Sequence, residues 1–199
     1  MKIVVLCEGS SEAILKSSFR EFVQSRSSGG ERIGLDTLKL PGTKIISRLQ
    51  RMTSLTLKRE DVVGVVALID VYPNHEDAEE AKQALYTIAK VGKSETRFRA
   101  HAALWELEAW LLPFWEEIAD WLKVAAKRPG PHPEKINGQN PPSKRLKELY
   151  RRGGKEYHKV ADARKWLTVD RLEEAAEDCP QLRDFLDSLL EFAGAKRLE

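Results

Sequence analysis

Long apolar runs are missing from this chain. No stretch approaches the roughly 20 apolar residues a membrane-spanning helix needs. The first apolar run, KIVVLC at residues 2–7, is short and built of strand formers rather than resembling a leader. Cysteine is scarce as well. Cys7 and Cys179 lie far apart in apolar surroundings, which excludes a disulfide framework and suggests buried thiols. Four histidines without ligand spacing argue against zinc. Low-complexity segments and internal repeats are absent. What is present is an ordinary globular composition: 199 residues, 42% hydrophobic and 32% charged, enough for one substantial core. The expectation is a cytoplasmic protein.

Excess charge of one sign is also lacking overall, since the net charge is only +2. Locally it is not lacking. Residues 127–165 hold twelve Lys and Arg against four Asp and Glu, so this stretch carries +8 and the remainder −6. A local excess of that size attracts phosphate backbones, although a solvated helix face gives the same count.

Two runs read as buried strands, KIVVLC and VVGVVALI (residues 62–69); weaker strands are expected at 35–40 and 97–102. Between them the apolar spacing predicts helices over 10–25, from Thr43 onward and over 76–91, with a further helix over 105–127. Alternating strands and helices argue for a mostly parallel central sheet flanked by helices. After Lys127, prolines bracket an irregular segment, followed by helices over 143–152, 169–178 and 181–193. The expected division is an α/β core at 1–128 and a basic helical extension at 129–199 packed on it, with a single domain overall as the alternative.

In open parallel sheets, sites form at the carboxyl ends of strands. Glu8 and Asp70 each follow directly on a strongly apolar strand. If those strands are neighbours, the carboxylates repel one another unless a cation intervenes, and hard oxygen ligands suit Mg²⁺ or Mn²⁺. Gly9, Ser10 and Ser11 occupy a strand-to-helix turn where free N–H groups favour a phosphate. Glu12 is either a further ligand or a first-turn acid complementing the helix dipole. In WELEAWLL (105–112), helical spacing puts Glu108 near the middle of an apolar face and Glu106 almost opposite. A carboxylate there needs a metal or a buried Lys or Arg partner. Glu106 reaches the site only if the helix begins after it. In the basic segment, Lys144, Arg145 and Lys159 are candidate phosphate contacts.

The order of EGSSE (8–12), Asp70-Val71-Tyr72, ELEAWLL (106–112), INGQNPPSKR (136–145), the Tyr157 and Lys159 pair, and CPQLRDFLDSL (179–189) resembles a bacterial and archaeal domain-of-unknown-function family assigned to the Toprim-like superfamily. ELEAWLL is also similar to the glutamate-containing helix of the Toprim domains of overcoming-lysogenization-defect (OLD) nucleases. The resemblance implies a Toprim-like fold and a Mg²⁺ site for phosphodiester chemistry, with Glu8 and Asp70 at the metal-holding positions. It also implies partner ATPases and a role in genome defence. Tyr72 departs from the pattern, standing where a D-x-D motif has its second Asp, so Glu12, Glu106 or Glu108 would have to supply the missing ligand.

The leading expectation is a divalent-metal-dependent nuclease or related phosphoryl-transfer enzyme acting on nucleic acid through Glu8, Asp70 and Glu108. The alternative is a non-catalytic nucleic-acid-binding or regulatory subunit of an ATPase complex. A small-molecule phosphate enzyme remains a third reading.

Overall fold

Apolar on both faces, the KIVVLC and VVGVVALI runs can only sit in the middle of a covered sheet. In the computed structural model they are the two central strands. The structure describes residues 1–8, 14, 16, 18–27, 33–40, 45–92, 95–136 and 140–198, with the backbone alone for 45–47. Strands β1 (Lys2–Glu8), β2 (Gly34–Leu40), β3 (Val62–Asp70) and β4 (Phe98–Ala103) pair in parallel in the order β2-β1-β3-β4. The fold is therefore α/β, a four-stranded, all-parallel central sheet flanked by helices.

The chain leaves β1 for β2 on one side and then returns to place β3 on the other side of β1. That reversal makes the β1/β3 junction a topological switch point, where a crevice opens at the carboxyl edge. Cys7 pairs with Leu68, and Asp70 with Ala103, so Glu8 and Asp70 end adjacent strands at that edge.

Period-two alternation divides the core. Val4, Leu6, Val65, Ala67 and Ile69 face one layer, with α2 (Ile45–Leu57) and α3 (Ala78–Ala89). Ile3, Val5, Cys7, Val66 and Leu68 face the other, which contains α1 (Ser18–Arg26) and the helices that follow β4. That second layer is a 3₁₀ helix at Leu107–Phe114, then α4 (Trp115–Leu122), α5 (Pro142–Arg152), α6 (Lys159–Trp166), α7 (Leu172–Asp178) and α8 (Pro180–Phe192). Both cysteines are buried in it.

The C-terminal extension is bound into this layer by specific contacts. The Phe192 ring of α8 lies over Gly64 of β3, where a Cβ would come within 2.4 Å of it. His101 of β4 shares a buried 2.9 Å hydrogen bond with Ser188. Glu134, 4% exposed, accepts from the Trp110 indole at 3.1 Å and from the N–H groups of Gln181 and Leu182, at 2.9 and 3.3 Å. A buried carboxylate thus caps the N-terminus of α8, where free N–H groups favour negative charge.

Two expectations change. The single helix over 105–127 is a 3₁₀ helix followed by α4, with Pro113 inside the first part. Proline lacks the N–H that an α-helical ladder needs there. Second, α6 had not been anticipated; its sequence, KVADARKW, buries Asp162, Ala163 and Trp166 and carries little apolar contrast. The predicted start of the first helix, the Gly-rich break at 28–30, the Pro41-Gly42 stop and the Thr43 cap lie outside the described residues.

Candidate functional site

Asp70 is the best-defined member of the strand-end group. By alternation it faces the layer containing the C-terminal helices, as Val66 and Leu68 do. Its Oδ1 accepts from the Leu107 N–H at 3.0 Å, the first N–H of the 3₁₀ helix, and its Oδ2 lies 3.9 Å from Lys159 Nζ. Burial pushes its pKa up to about 7. Lys159 and the Leu107 N–H oppose that rise, and the Glu108 and Glu8 carboxylates add to it.

Glu108 and Lys159 form the core of the cluster. Glu108 is 3% exposed, and its Oε2 stands 2.9 Å from the Lys159 ammonium. The buried lysine partner, one of the two options open for Glu108, is thus present. Burial works against the Lys159 charge, but Glu108, Asp70 and Glu106 outweigh it and raise its pKa. Lys159 begins α6, so the helix missing from the sequence reading is the one that presents the cation.

Glu106 precedes the 3₁₀ helix with extended backbone, which frees it from the helical geometry that would have turned it away. Its two oxygens accept from the Ser143 N–H at 2.9 Å and the Ser143 hydroxyl at 3.0 Å. Pro141 and Pro142 open α5, leaving the Ser143 N–H without an intrahelical partner, and Glu106 fills that vacancy. Glu106 therefore fastens α5 to the sheet edge.

Glu8 ends β1 half-buried and has the opposite parity to Cys7, toward the α2/α3 layer. Burial raises its pKa, while Lys159 and His75 lower it. It shares the edge and the electric field of the cluster, adding to the rise in the Asp70 pKa, and no hydrogen bond joins it to Asp70 among the described residues. Gly9, Ser10, Ser11 and Glu12 lie outside the described residues. Lys144 is exposed on α5. Arg145 donates from Nε to the Asn140 carbonyl at 2.7 Å and lines a separate pocket with Lys127 and Arg152.

Three neighbours were not singled out as site residues. Tyr157 is buried, with a hydroxyl that has no partner among the described residues. Its pKa is raised by burial and then by Glu108 and Asp162. His75 lies on the loop after β3, its N–H donating to the Val71 carbonyl at 2.9 Å. Ser143 is the third. Only the Pro-Pro-Ser helix start carried a local signal, an exposed helix N-terminus awaiting an acceptor. Tyr72 is 49% exposed, and its N–H donates to the Trp105 carbonyl at 2.9 Å. Trp105 holds φ of 65°, a left-handed conformation unusual for so bulky a residue. Such local strain concentrates at functional sites.

Among the described residues, no group of three or more His, Cys, Asp or Glu is arranged to hold a metal ion. The donors at this edge are hard carboxylate oxygens, the ligand type that Mg²⁺ or Mn²⁺ takes, and burial raises the pKa of both Glu8 and Asp70. No helix of the described residues is long and apolar enough to cross a membrane.

A family profile described as Domain of unknown function (DUF4276) matches residues 7–190, a span containing Glu8, Asp70, Glu106, Glu108 and Lys159. No curated protein and no solved structure matches the chain.

Proposed function

Because the chain belongs to this domain-of-unknown-function family, which lends it no activity, we propose from the site itself that it is a divalent-metal-dependent nuclease or related phosphoryl-transfer enzyme acting on nucleic acid. The parallel sheet with acids after β1 and β3 is read as Toprim-like, and a role beside a partner ATPase in genome defence belongs to the same proposal. The observation that carries it is the meeting of the Asp70 and Glu108 carboxylates with the Lys159 ammonium, at 3.9 and 2.9 Å, beside Glu8 at the switch point of the sheet.

Glu8 and Asp70 would hold the ion; when bound, Mg²⁺ or Mn²⁺ supplies a Lewis acid and an activated water. The chain's own groups have separable tasks. Glu108 orients Lys159, whose ammonium is fixed to meet the negative charge that builds on a phosphoryl oxygen. The Leu107 N–H holds one oxygen of Asp70 and leaves the other turned to the cluster. Glu106 keeps the start of α5 against this edge. The +8 segment adds sequence-independent attraction for a phosphate backbone, so binding weakens steeply with salt.

The test is cleavage of plasmid, single-stranded DNA and RNA with Mg²⁺, Mn²⁺ or EDTA, by wild type, Glu8→Gln and Asp70→Asn. Expected is metal-dependent cleavage that falls at least about 100-fold in each variant. Undiminished cleavage in both variants removes these carboxylates from the mechanism.

One observation favours a second reading, a regulatory nucleic-acid-binding subunit: Lys159 already neutralises Glu108. Calorimetry with Mn²⁺ separates the two. Heat of binding lost in Asp70→Asn supports the enzyme, and no binding at millimolar metal supports the regulatory subunit.

A further inference from the structure

One face of α5 is unused by the carboxylate cluster. Ser143 meets Glu106, and Arg145, Glu148, Leu149 and Arg152 lie about 140–240° around the helix from it, at 100° per residue. With Trp115 at the start of α4, Lys127 beyond its end and Asn140 before α5, this face lines a pocket of about 160 Å³. We propose that this pocket is a second, independent binding site for a phosphate group.

The donors around it outnumber the acceptors. Three side chains, Lys127, Arg145 and Arg152, bring positive charge against the single carboxylate of Glu148. Glu148 is exposed and forms no ion pair among the described residues. The two arginines are held in place by carbonyls. Arg145 Nε donates to Asn140 at 2.7 Å, and an Arg152 terminal nitrogen donates to Ala125 at 2.5 Å. Each guanidinium has five N–H donors, so each retains several for a ligand. A guanidinium fork matches the oxygens of a phosphate, and prior fixation lowers the ordering cost on binding.

The second observation comes from Trp115. The residue is 6% exposed, and its indole N–H is buried without a partner among the described residues. Trp115 thus forms one wall of the pocket with its buried ring. Two guanidinium groups and an ammonium around a small pocket select an oxyanion. A phosphate, with several oxygens, can engage more of them at once than a carboxylate.

The source is either the diester backbone of a nucleic acid or a free monoester, and two arms distinguish them. Both run on the full chain in EDTA, so neither depends on cleavage or on the metal-site proposal. Thermal unfolding and calorimetry are followed with inorganic phosphate and with a nucleoside monophosphate. A second arm uses a single-stranded oligonucleotide lacking terminal phosphates. Chloride at matched ionic strength and acetate serve as controls.

The expected result is saturable stabilisation by phosphate that neither control reproduces. Its affinity falls at least tenfold in Lys127→Gln/Arg152→Gln. Far-UV circular dichroism checks folding, and Lys127→Gln alone, at an exposed position, serves if the double variant unfolds. Oligonucleotide binding weakened by the same substitutions identifies the diester backbone as the source; an effect on inorganic phosphate and the monophosphate alone identifies a monoester. Equal stabilisation by chloride or acetate, or affinities unchanged by substitution, overturns the proposal.

Discussion

Replacing Lys159 with methionine tests whether its ion pair with Glu108 organises the strand-end cluster. The two charges stand 2.9 Å apart, and Glu108 is 3% exposed. At an effective dielectric of about 20, that distance corresponds to roughly 6 kcal/mol of gross attraction, most of it offset by desolvation. Removing one partner of a buried pair leaves the other charge uncompensated, at a cost of about 3–5 kcal/mol. The Lys159 side chain is 29% exposed, so water partly screens the pair, and the expected loss for Lys159→Met is about 3 kcal/mol. Glu108→Gln should cost less, about 1–2 kcal/mol, because Lys159 keeps Asp70 at 3.9 Å.

In the double variant no charge is stranded at this pair. Its stability should therefore exceed that of Lys159→Met by about 1–2 kcal/mol, which with the two single losses makes the coupling energy of the double-mutant cycle about 3 kcal/mol. Urea unfolding at pH 7 reads all four species, and repetition at high salt separates this pair from surface pairs, which salt screens more strongly. A loss below about 1 kcal/mol for Lys159→Met, or no rescue by Glu108→Gln, would refute the reasoning.

His101 is 6% exposed, and burial, then Lys82 and Arg99, hold its pKa down to about 3. A depressed histidine stabilises the fold fully above its unfolded pKa of about 6.5, and that contribution is lost as pH falls from there toward 3. His101→Gln should therefore flatten the decline of unfolding temperature with acid across that window, compared with wild type. Gly64→Ala puts a methyl group into the Phe192 ring and should cost about 1–3 kcal/mol in chemical unfolding; a neutral result would mean α8 does not press on β3 there. Glu134→Ala strands the Trp110 indole and frees the first N–H groups of α8, with an expected loss of about 2–3 kcal/mol. Faster amide exchange at Leu182 should accompany it, and unchanged exchange would discount the cap.

The strands were legible because β-branched runs bounded by polar residues have few alternatives, and because Glu8 and Asp70 mark their ends. Residues 105–127 were misread in detail, since apolar spacing cannot distinguish a 3₁₀ helix from an α-helix when both bury one side. The error mattered for Glu106, which is released from the helix to hold Ser143. The partner of Glu108 could not be found locally either. Lys159 lies 51 positions away, on a helix whose buried face consists of Asp162, Ala163 and Trp166. Glu134 shows the same limit, because nothing near it in sequence announces a cap for a helix that begins at Pro180.

These long-range pairings explain how the uneven charge fits the fold. The strand-end edge brings carboxylates together, and Glu108 and Glu8 add to the rise that burial gives the pKa of Asp70, a conflict the sheet cannot relieve by itself. The basic segment relieves it at two points: Lys159 against Glu108 and Asp70, and Ser143, at the N-terminus of α5, against Glu106. The +8 of residues 127–165 is therefore only partly a solvated face. Part of it is spent inside the cluster, and part lines the opposite side of α5 at Lys127, Arg145 and Arg152. One helix thus joins an acidic edge to a basic pocket, so a substitution that shifts the start of α5 should disturb both.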